Sequence, residues 1–180
     1  MALDTQLFSL LNSVAGRSPF FDESIVFFAL YLPYLLVIFF LGLVLFSQYQ
    51  KREKIQILLV TALSSVIARF GVTELIRFFY HRPRPFADHS VTQLLTSNEW
   101  SSPSGHAAFF FAMATAIYLY NKRWGVGFFV AAILITVSRV IAGIHYPSDI
   151  ALGAFIGISL AYATYYFVHK RLEQQSDSTY

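Results

Sequence analysis

Five apolar stretches, at about 24–47, 55–77, 103–120, 125–142 and 149–168, leave this chain few ways to fold. A helix that crosses a bilayer needs about 20 mostly apolar residues. The third stretch is short at its strict limits and is therefore counted from Pro103. Of the 180 residues 56% are apolar and 13% charged, whereas soluble domains run at about 45–50% and 25%. One small soluble core cannot hide that excess. The expectation is an all-α integral membrane helical bundle, about five transmembrane helices and one domain over residues 1–180. The absence of cysteine excludes disulfides, thiolate metal sites and a Cys nucleophile. A net charge of +3 gives no reason to expect a nucleic-acid partner.

Before the first span, residues 3–15 set Leu3, Leu7, Leu10, Leu11 and Val14 at helical spacing beside Asp4, Gln6, Ser9 and Asn12. This is an amphipathic helix too short to span, lying in the interface or packed against the bundle. It lacks the basic start and small-residue cleavage site of a signal peptide. The longest polar connection, 78–103, has X-Pro pairs that disfavour helix at Arg82 and Arg84. Val91, Leu94 and Leu95 then suggest a short interfacial helix, with Trp100 at headgroup depth. A lid over a site and a plain surface loop are both open readings. The tail from Glu173 is polar and is expected to fray.

Five spans put alternate loops on opposite sides. One side carries Lys51, Arg52, Lys54, Lys122, Arg123, Lys170 and Arg171, which include every lysine in the chain. The positive-inside rule assigns that side to the cytoplasm. The other side receives the N-terminus, the 78–103 loop and the 143–148 turn, and its basic residues are all arginines.

The alternation brings three clusters to that non-cytoplasmic face. They are Arg77-x6-Arg84-Pro85, Pro103-Ser104-Gly105-His106, and Ser138-Arg139-x5-His145-x3-Asp149. Together they supply three guanidiniums, two imidazoles, a carboxylate, a hydroxyl and a helix N-terminus. Guanidinium forks match phosphate oxygens and stay charged at any relevant pH. Pro103-Ser104-Gly105 opening a helix leaves free N–H groups for an anion. His145 and Asp149 are one helical turn apart, so the carboxylate can hold one ring nitrogen and leave the other as nucleophile. His106 is near enough in the same cluster to protonate a leaving oxygen.

Each element also has a plainer reading. Arg77 or Arg139 alone could snorkel from a span end. Arg69 and Glu74 read as a structural pair, His81, His89 and His169 as ordinary loop or helix histidines, and Gly153-x3-Gly157 as a helix contact. A metal set of His81, His89, His106 and Asp149 lacks regular spacing and would face repulsion from the arginines. The joint occurrence of the three clusters on one face is what argues against chance.

These three clusters resemble the signature of the type 2 phosphatidic acid phosphatase superfamily. The signature departs at Arg77, where that family more often has Lys, and the bacitracin-resistance branch often has Asp in place of Gly105. The resemblance implies a membrane helical bundle that uses no metal or other cofactor and forms a phosphohistidine intermediate. Carried over, His145 is the nucleophile, Asp149 its orienting partner and His106 the acid. Arg77, Arg84, Ser104, Gly105 and Arg139 hold the phosphoryl oxygens. Asn12-Ser13-Val14-Ala15-Gly16, Phe21-Asp22, Ala29-Leu30-Tyr31-Leu32-Pro33-Tyr34 and Tyr80-His81-Arg82-Pro83-Arg84-Pro85-Phe86 are further similar to bacitracin-resistance-type undecaprenyl-diphosphatases.

The resulting expectation is a lipid phosphatase that converts undecaprenyl diphosphate to undecaprenyl phosphate on the outer face of a bacterial inner membrane. Its partners are the bilayer and the lipid phosphate, with no protein partner expected. Phosphatidylglycerol phosphate, phosphatidate or lipid A are alternative substrates. A transporter that binds anionic lipid without chemistry is the alternative of a different kind, and the oriented His145–Asp149 pair argues against it.

Overall fold

A computed structural model describes residues 2–177, and among them every regular element is helical. An N-terminal helix α1 (Ala2–Asn12) is followed by two long helices, α2 (Pro19–Phe46) and α3 (Lys51–Phe79). A single short turn, α4 (Pro85–Asp88), precedes α5 (Gly105–Tyr120), α6 (Lys122–Ile141) and α7 (Pro147–Asp177). Local chemistry sets most of these starts. Pro19 follows extended Ser18, where its missing N–H costs nothing. Glu53 reaches back to the Gln50 N–H at 2.9 Å, closing a capping box on α3. Asn121 accepts from the Trp124 N–H at 3.1 Å at the head of α6.

Four helices (α2, α3, α6 and the Pro147–Arg171 part of α7) are long and apolar enough to cross a membrane. Helix α5 is apolar but has 16 residues, so it rises about 24 Å against a hydrocarbon core of about 30 Å. The chain makes up part of the difference with a buried non-helical segment, Ser101–Ser104, that leads into α5.

Helix α5 sits at the centre of the bundle. Small residues let its neighbours approach: a Cβ at Gly153 would lie 2.5 Å from the Ser104 carbonyl oxygen, and one at Gly157 would lie 2.4 Å from that of Ala108. The Gly153-x3-Gly157 face is thus the contact of α7 with α5, as backbone proximity of this kind demands glycine. On the other side of α5, Phe110, Met113 and Ile117 pack with Leu36, Phe40, Val44, Ile57, Phe128 and Ile135 from α2, α3 and α6.

Helix α1 is packed against the bundle through Phe8, Leu11 and Asn12, and only part of its leucine stripe takes part. Phe8 is 1% exposed, against Val140 and Tyr146, while Leu3 and Leu10 are each 68% exposed. Asn12 donates to the carbonyls of Thr92 and Ile141, both at 2.8 Å, and accepts from the Thr92 N–H. These bonds take the backbone of the long loop, and beyond α4 no helix forms there. The interfacial helix expected from Val91, Leu94 and Leu95 is absent. Those side chains pack on α1 and the end of α6, and the Leu94 N–H donates to the Ala142 carbonyl at 3.1 Å. At the other end, α7 continues to Asp177 through the first part of the tail expected to fray; residues 178–180 lie outside the described residues.

Candidate active site

The cluster residues meet around a cavity of about 270 Å³ on the side of the bundle that carries the long loop. Arg69, Arg77, Arg84 and Arg139 line it, with Gly105, His106 and His145. Ser97, Asn98 and Glu99 of the loop close another wall, so that loop covers the site.

Three of the four guanidiniums, those of Arg77, Arg84 and Arg139, are held by backbone carbonyls. Arg77 donates to the Pro103 carbonyl at 3.0 Å and Arg84 to that of Ile144 at 2.5 Å. Arg84 Nε also donates to the Glu99 carbonyl at 2.6 Å. Arg139 donates to the Ala29 carbonyl at 3.2 Å, and the reason is in the sequence. Pro33, four residues on, has no N–H to offer that carbonyl, and α2 passes through a π turn at Phe27–Tyr31. Arg77 Nε and Arg139 Nε are buried with no hydrogen-bond partner among the described residues. Burial, with the Arg77 charge nearby, pulls Arg84 down to about 10, which leaves it cationic at neutral pH.

The two rings of the site have assignable faces. His145 Nε2 lies 3.5 Å from Arg84 Nη1, which can only donate. Its Nδ1 lies 3.6 Å from Asp149 Oδ2, which can only accept. The proton therefore belongs on Nδ1, and the Nε2 lone pair faces the arginines. Burial pushes His145 down to about 4, with Arg139 and Arg84 adding to it and Asp149 opposing. At neutral pH the imidazole is uncharged. His106 Nε2 lies 3.4 Å from Arg139 Nη1, so its lone pair is directed in the same way.

Asp149 is fully buried and lies behind His145, away from the cavity. Three donors hold it: Ser101 Oγ at 2.5 Å, the Tyr146 N–H at 2.8 Å and Arg82 at 2.8 Å. Ser104 is the expected phosphate-binding residue that is not on the cavity wall. It is fully buried, and its hydroxyl accepts from the Ala107 N–H at 3.4 Å as the cap of α5. Its own N–H donates to the Asp149 carbonyl at 3.0 Å, tying α5 to α7.

Sequence reasoning missed several participants. Arg69 does pair with Glu74, but it also crosses Gly105, where a Cβ would lie 2.4 Å from its Cδ, and it lines the cavity. That crossing explains why position 105 is glycine here. Glu99 places its carboxylate between Arg77, at 2.5 Å, and Arg69, at 3.1 Å. Burial raises the Glu99 carboxyl, but the Arg77 hydrogen bond and the Arg69 charge outweigh it and hold the group below its ordinary range. His81 and His89 stay outside the cavity, beside Trp100 and Tyr146.

Residues 53–173 of the chain match the sequence model of the PAP2 superfamily. The chain belongs to this family. It is a membrane-embedded PAP2 lipid phosphatase. It is 26% identical to the "Bacitracin transport permease protein BcrC" of Bacillus licheniformis, over 94% of this chain and 86% of that protein. It is 24% identical to the "Undecaprenyl-diphosphatase BcrC" of Bacillus subtilis, over 92% of this chain and 84% of the relative. Among solved structures, LpxE of Aquifex aeolicus superposes with a TM-score of 0.72 at 31% identity, covering 91% of this chain and 95% of LpxE.

Proposed function

We propose that this PAP2 phosphatase removes the terminal phosphate of undecaprenyl diphosphate through a phosphohistidine on His145, with residues 1–180 acting as one membrane phosphatase domain. The observation that carries the chemistry is a buried imidazole with Nε2 beside Arg84, on the wall of a cavity lined by four guanidiniums. Nε2 attacks the terminal phosphorus; an N–P bond forms as the bond to the bridging oxygen breaks, and undecaprenyl phosphate leaves. Arg77, Arg84 and Arg139 neutralise the phosphoryl oxygens, which otherwise repel a nucleophile, and stabilise the transition state. The N–H groups at the start of α5, around Gly105, add to that field, and Ser104 acts by capping the helix that presents them. His106, entering the cycle protonated, gives its proton to the departing oxygen; it then takes a proton from the water whose oxygen bonds to phosphorus as the N–P bond breaks, which frees inorganic phosphate and restores His145 and the acid. Substrate phosphate displaces Glu99 from Arg77 and Arg69.

The lipid choice rests on two supports: the undecaprenyl-diphosphatase among the similar proteins, and a groove beside the cavity. That groove, about 250 Å³, is lined by Pro33, Tyr34, Val37, Phe70, Phe109 and Phe110 and shares Arg69, Gly105 and His106 with the site. A polyprenyl tail fits such an apolar side entrance between spans. Four guanidiniums also offer more charge than one phosphate requires. A diphosphate gains at least one further charge-assisted hydrogen bond, worth about 1.5–3 kcal/mol. Purified enzyme should therefore favour undecaprenyl diphosphate over phosphatidate, phosphatidylglycerol phosphate and lipid A by at least about tenfold in kcat/KM. Phosphate release from that panel measures it; equal turnover of phosphatidate would make this a general lipid phosphatase.

The site opens, on this reading, to the exterior of a bacterial inner membrane. The chain has no cysteine, so single replacements report cleanly. Cysteine at exposed Thr96, in the long loop, should react with a membrane-impermeant thiol reagent in intact cells, and cysteine at exposed Gln48 should not. The reverse pattern overturns the orientation.

A further inference from the structure

The first helix reaches the back of the active site through charges that the mechanism above does not use. Asp4 accepts from the Ser148 N–H at 2.9 Å, from Ser148 Oγ at 2.5 Å and from Arg82 Nη2 at 2.7 Å. The other terminal nitrogen of Arg82, Nη1, donates to Asp149 Oδ1 at 2.8 Å and to Ser148 Oγ at 2.7 Å. The guanidinium lies 4.1 Å over the Tyr146 ring. A planar cation bridging two carboxylates and stacked on an aromatic face has little freedom to move.

Two consequences follow for His145. The first is geometric. Arg82 occupies Oδ1 of Asp149, which leaves Oδ2 as the lobe that meets the imidazole, with Ser101 and the Tyr146 N–H. The second is electrostatic. An uncompensated carboxylate beside Nδ1 would favour the imidazolium, which has no lone pair for attack. Arg82 offsets part of that charge, and Asp4 offsets part of the Arg82 charge. The groups facing His145 are Asp149, Arg84, Arg139 and His106. Those facing Arg82 are Asp4, Asp149, Tyr80 and Tyr146.

We infer that Arg82, clamped by Asp4 and Ser148, is a positioning residue for His145: it orients Asp149 and, together with Asp4, sets the basicity of the imidazole. Helix α1 thereby belongs to the catalytic framework. This rests on the reading of His145 as nucleophile. Burial raises the Asp4 carboxyl, but the bonds from Ser148 and Arg82 outweigh it and hold the group below its ordinary range, so Asp4 is a charged partner wherever the enzyme works.

The test compares pH profiles of kcat/KM for undecaprenyl diphosphate hydrolysis in wild type, Arg82→Gln, Arg82→Lys, Asp4→Asn and the Arg82→Gln/Asp4→Asn double variant. Substrate ionisation is common to all of them, so displacements of the acid limb report the enzyme. Arg82→Gln removes a positive charge, making His145 easier to protonate, and its acid limb should move to higher pH. Asp4→Asn leaves the Arg82 charge uncompensated, and its limb should move to lower pH. Each shift should be some tenths of a pH unit up to about one. In Arg82→Gln, kcat should fall about 10–100-fold, as when orienting partners of a ligand are lost, with KM nearly unchanged. Arg82→Lys keeps the charge without the fork, so kcat should fall while the limb stays in place. In the double variant, Asp4→Asn should add little to Arg82→Gln. A purely structural role would lower Tm in these variants and leave every limb unmoved, and that outcome overturns the inference. Asp4→Asn carries the test alone if Arg82→Gln does not fold. A His145→Ala control separates the two levels: turnover surviving there overturns the proposed mechanism, whereas its loss with unmoved limbs in the other variants overturns only the role of Arg82 and Asp4.

Discussion

His145→Ala is expected to abolish turnover, with a loss on the order of 10⁶-fold as for other nucleophile deletions. The site offers no substitute. His106 is the other imidazole on the cavity wall, and its Nε2 faces Arg139; among the described residues no carboxylate is paired with it in the way that Asp149 is with His145. The variant should still fold, because the His145 ring makes no strong hydrogen bond and its Nδ1 has no partner within hydrogen-bond length. Rapid quenching of wild type with substrate labelled in the terminal phosphate should trap an acid-labile, base-stable phosphoenzyme, formed equally in EDTA. The alanine variant should trap none while still binding substrate through its arginines. Label that accumulates on the variant, or turnover that EDTA abolishes and added metal restores, overturns the phosphohistidine mechanism.

Asp149→Asn should reduce kcat by on the order of 10²–10⁴-fold, by analogy with the orienting acid of serine hydrolases. Both oxygens of Asp149 accept hydrogen bonds, from Arg82 on one side and from Ser101 and Tyr146 on the other. An asparagine amide must turn its NH2 toward one of those donors. If it faces Arg82, the guanidinium loses its anion and is repelled. If it faces Ser101, Tyr146 and His145, the imidazole takes the wrong tautomer and presents N–H to phosphorus. The first arrangement loosens the carboxylate's replacement behind the ring and the second removes the lone pair from the line of attack; neither removes the nucleophile itself. A phosphoenzyme should therefore still form, slowly, and its single-turnover rate should fall in step with kcat. A loss as complete as that of His145→Ala would assign Asp149 a larger part than orientation.

The helical membrane architecture was legible because apolar content and period are local properties of a chain. Each long apolar run has only one way to satisfy its backbone in hydrocarbon, so reading the runs was enough to predict a helical bundle. The alternation of loops then placed Arg77, Arg84, His106, Arg139, His145 and Asp149 near one another, since each lies within a few residues of a helix end on one side. The expectation failed where local pattern was a poor guide to packing. Val91, Leu94 and Leu95 do not form a helix, because Asn12 of α1 and Ala142 at the end of α6 take the loop's backbone bonds. The hydroxyl of Ser104 serves as the cap of its own helix.

The sequence by itself therefore determined a membrane helix bundle, the family and the three clusters to which the phosphoryl chemistry is assigned in our proposal. Tertiary structure alone decided what holds those clusters. Asp149 meets Arg82 across 67 positions and Ser101 across 48; Arg82 meets Asp4 across 78, and Arg139 meets the Ala29 carbonyl across 110. No periodicity or motif connects residues so far apart. A buried polar group must find a partner wherever the fold brings one, and which partner that is depends on how the helices cross. At the crossing of α5 and α7, two glycines bring the backbones together and set Ser104 and Asp149 side by side. The chemistry is written along the chain, but its alignment is made by that contact.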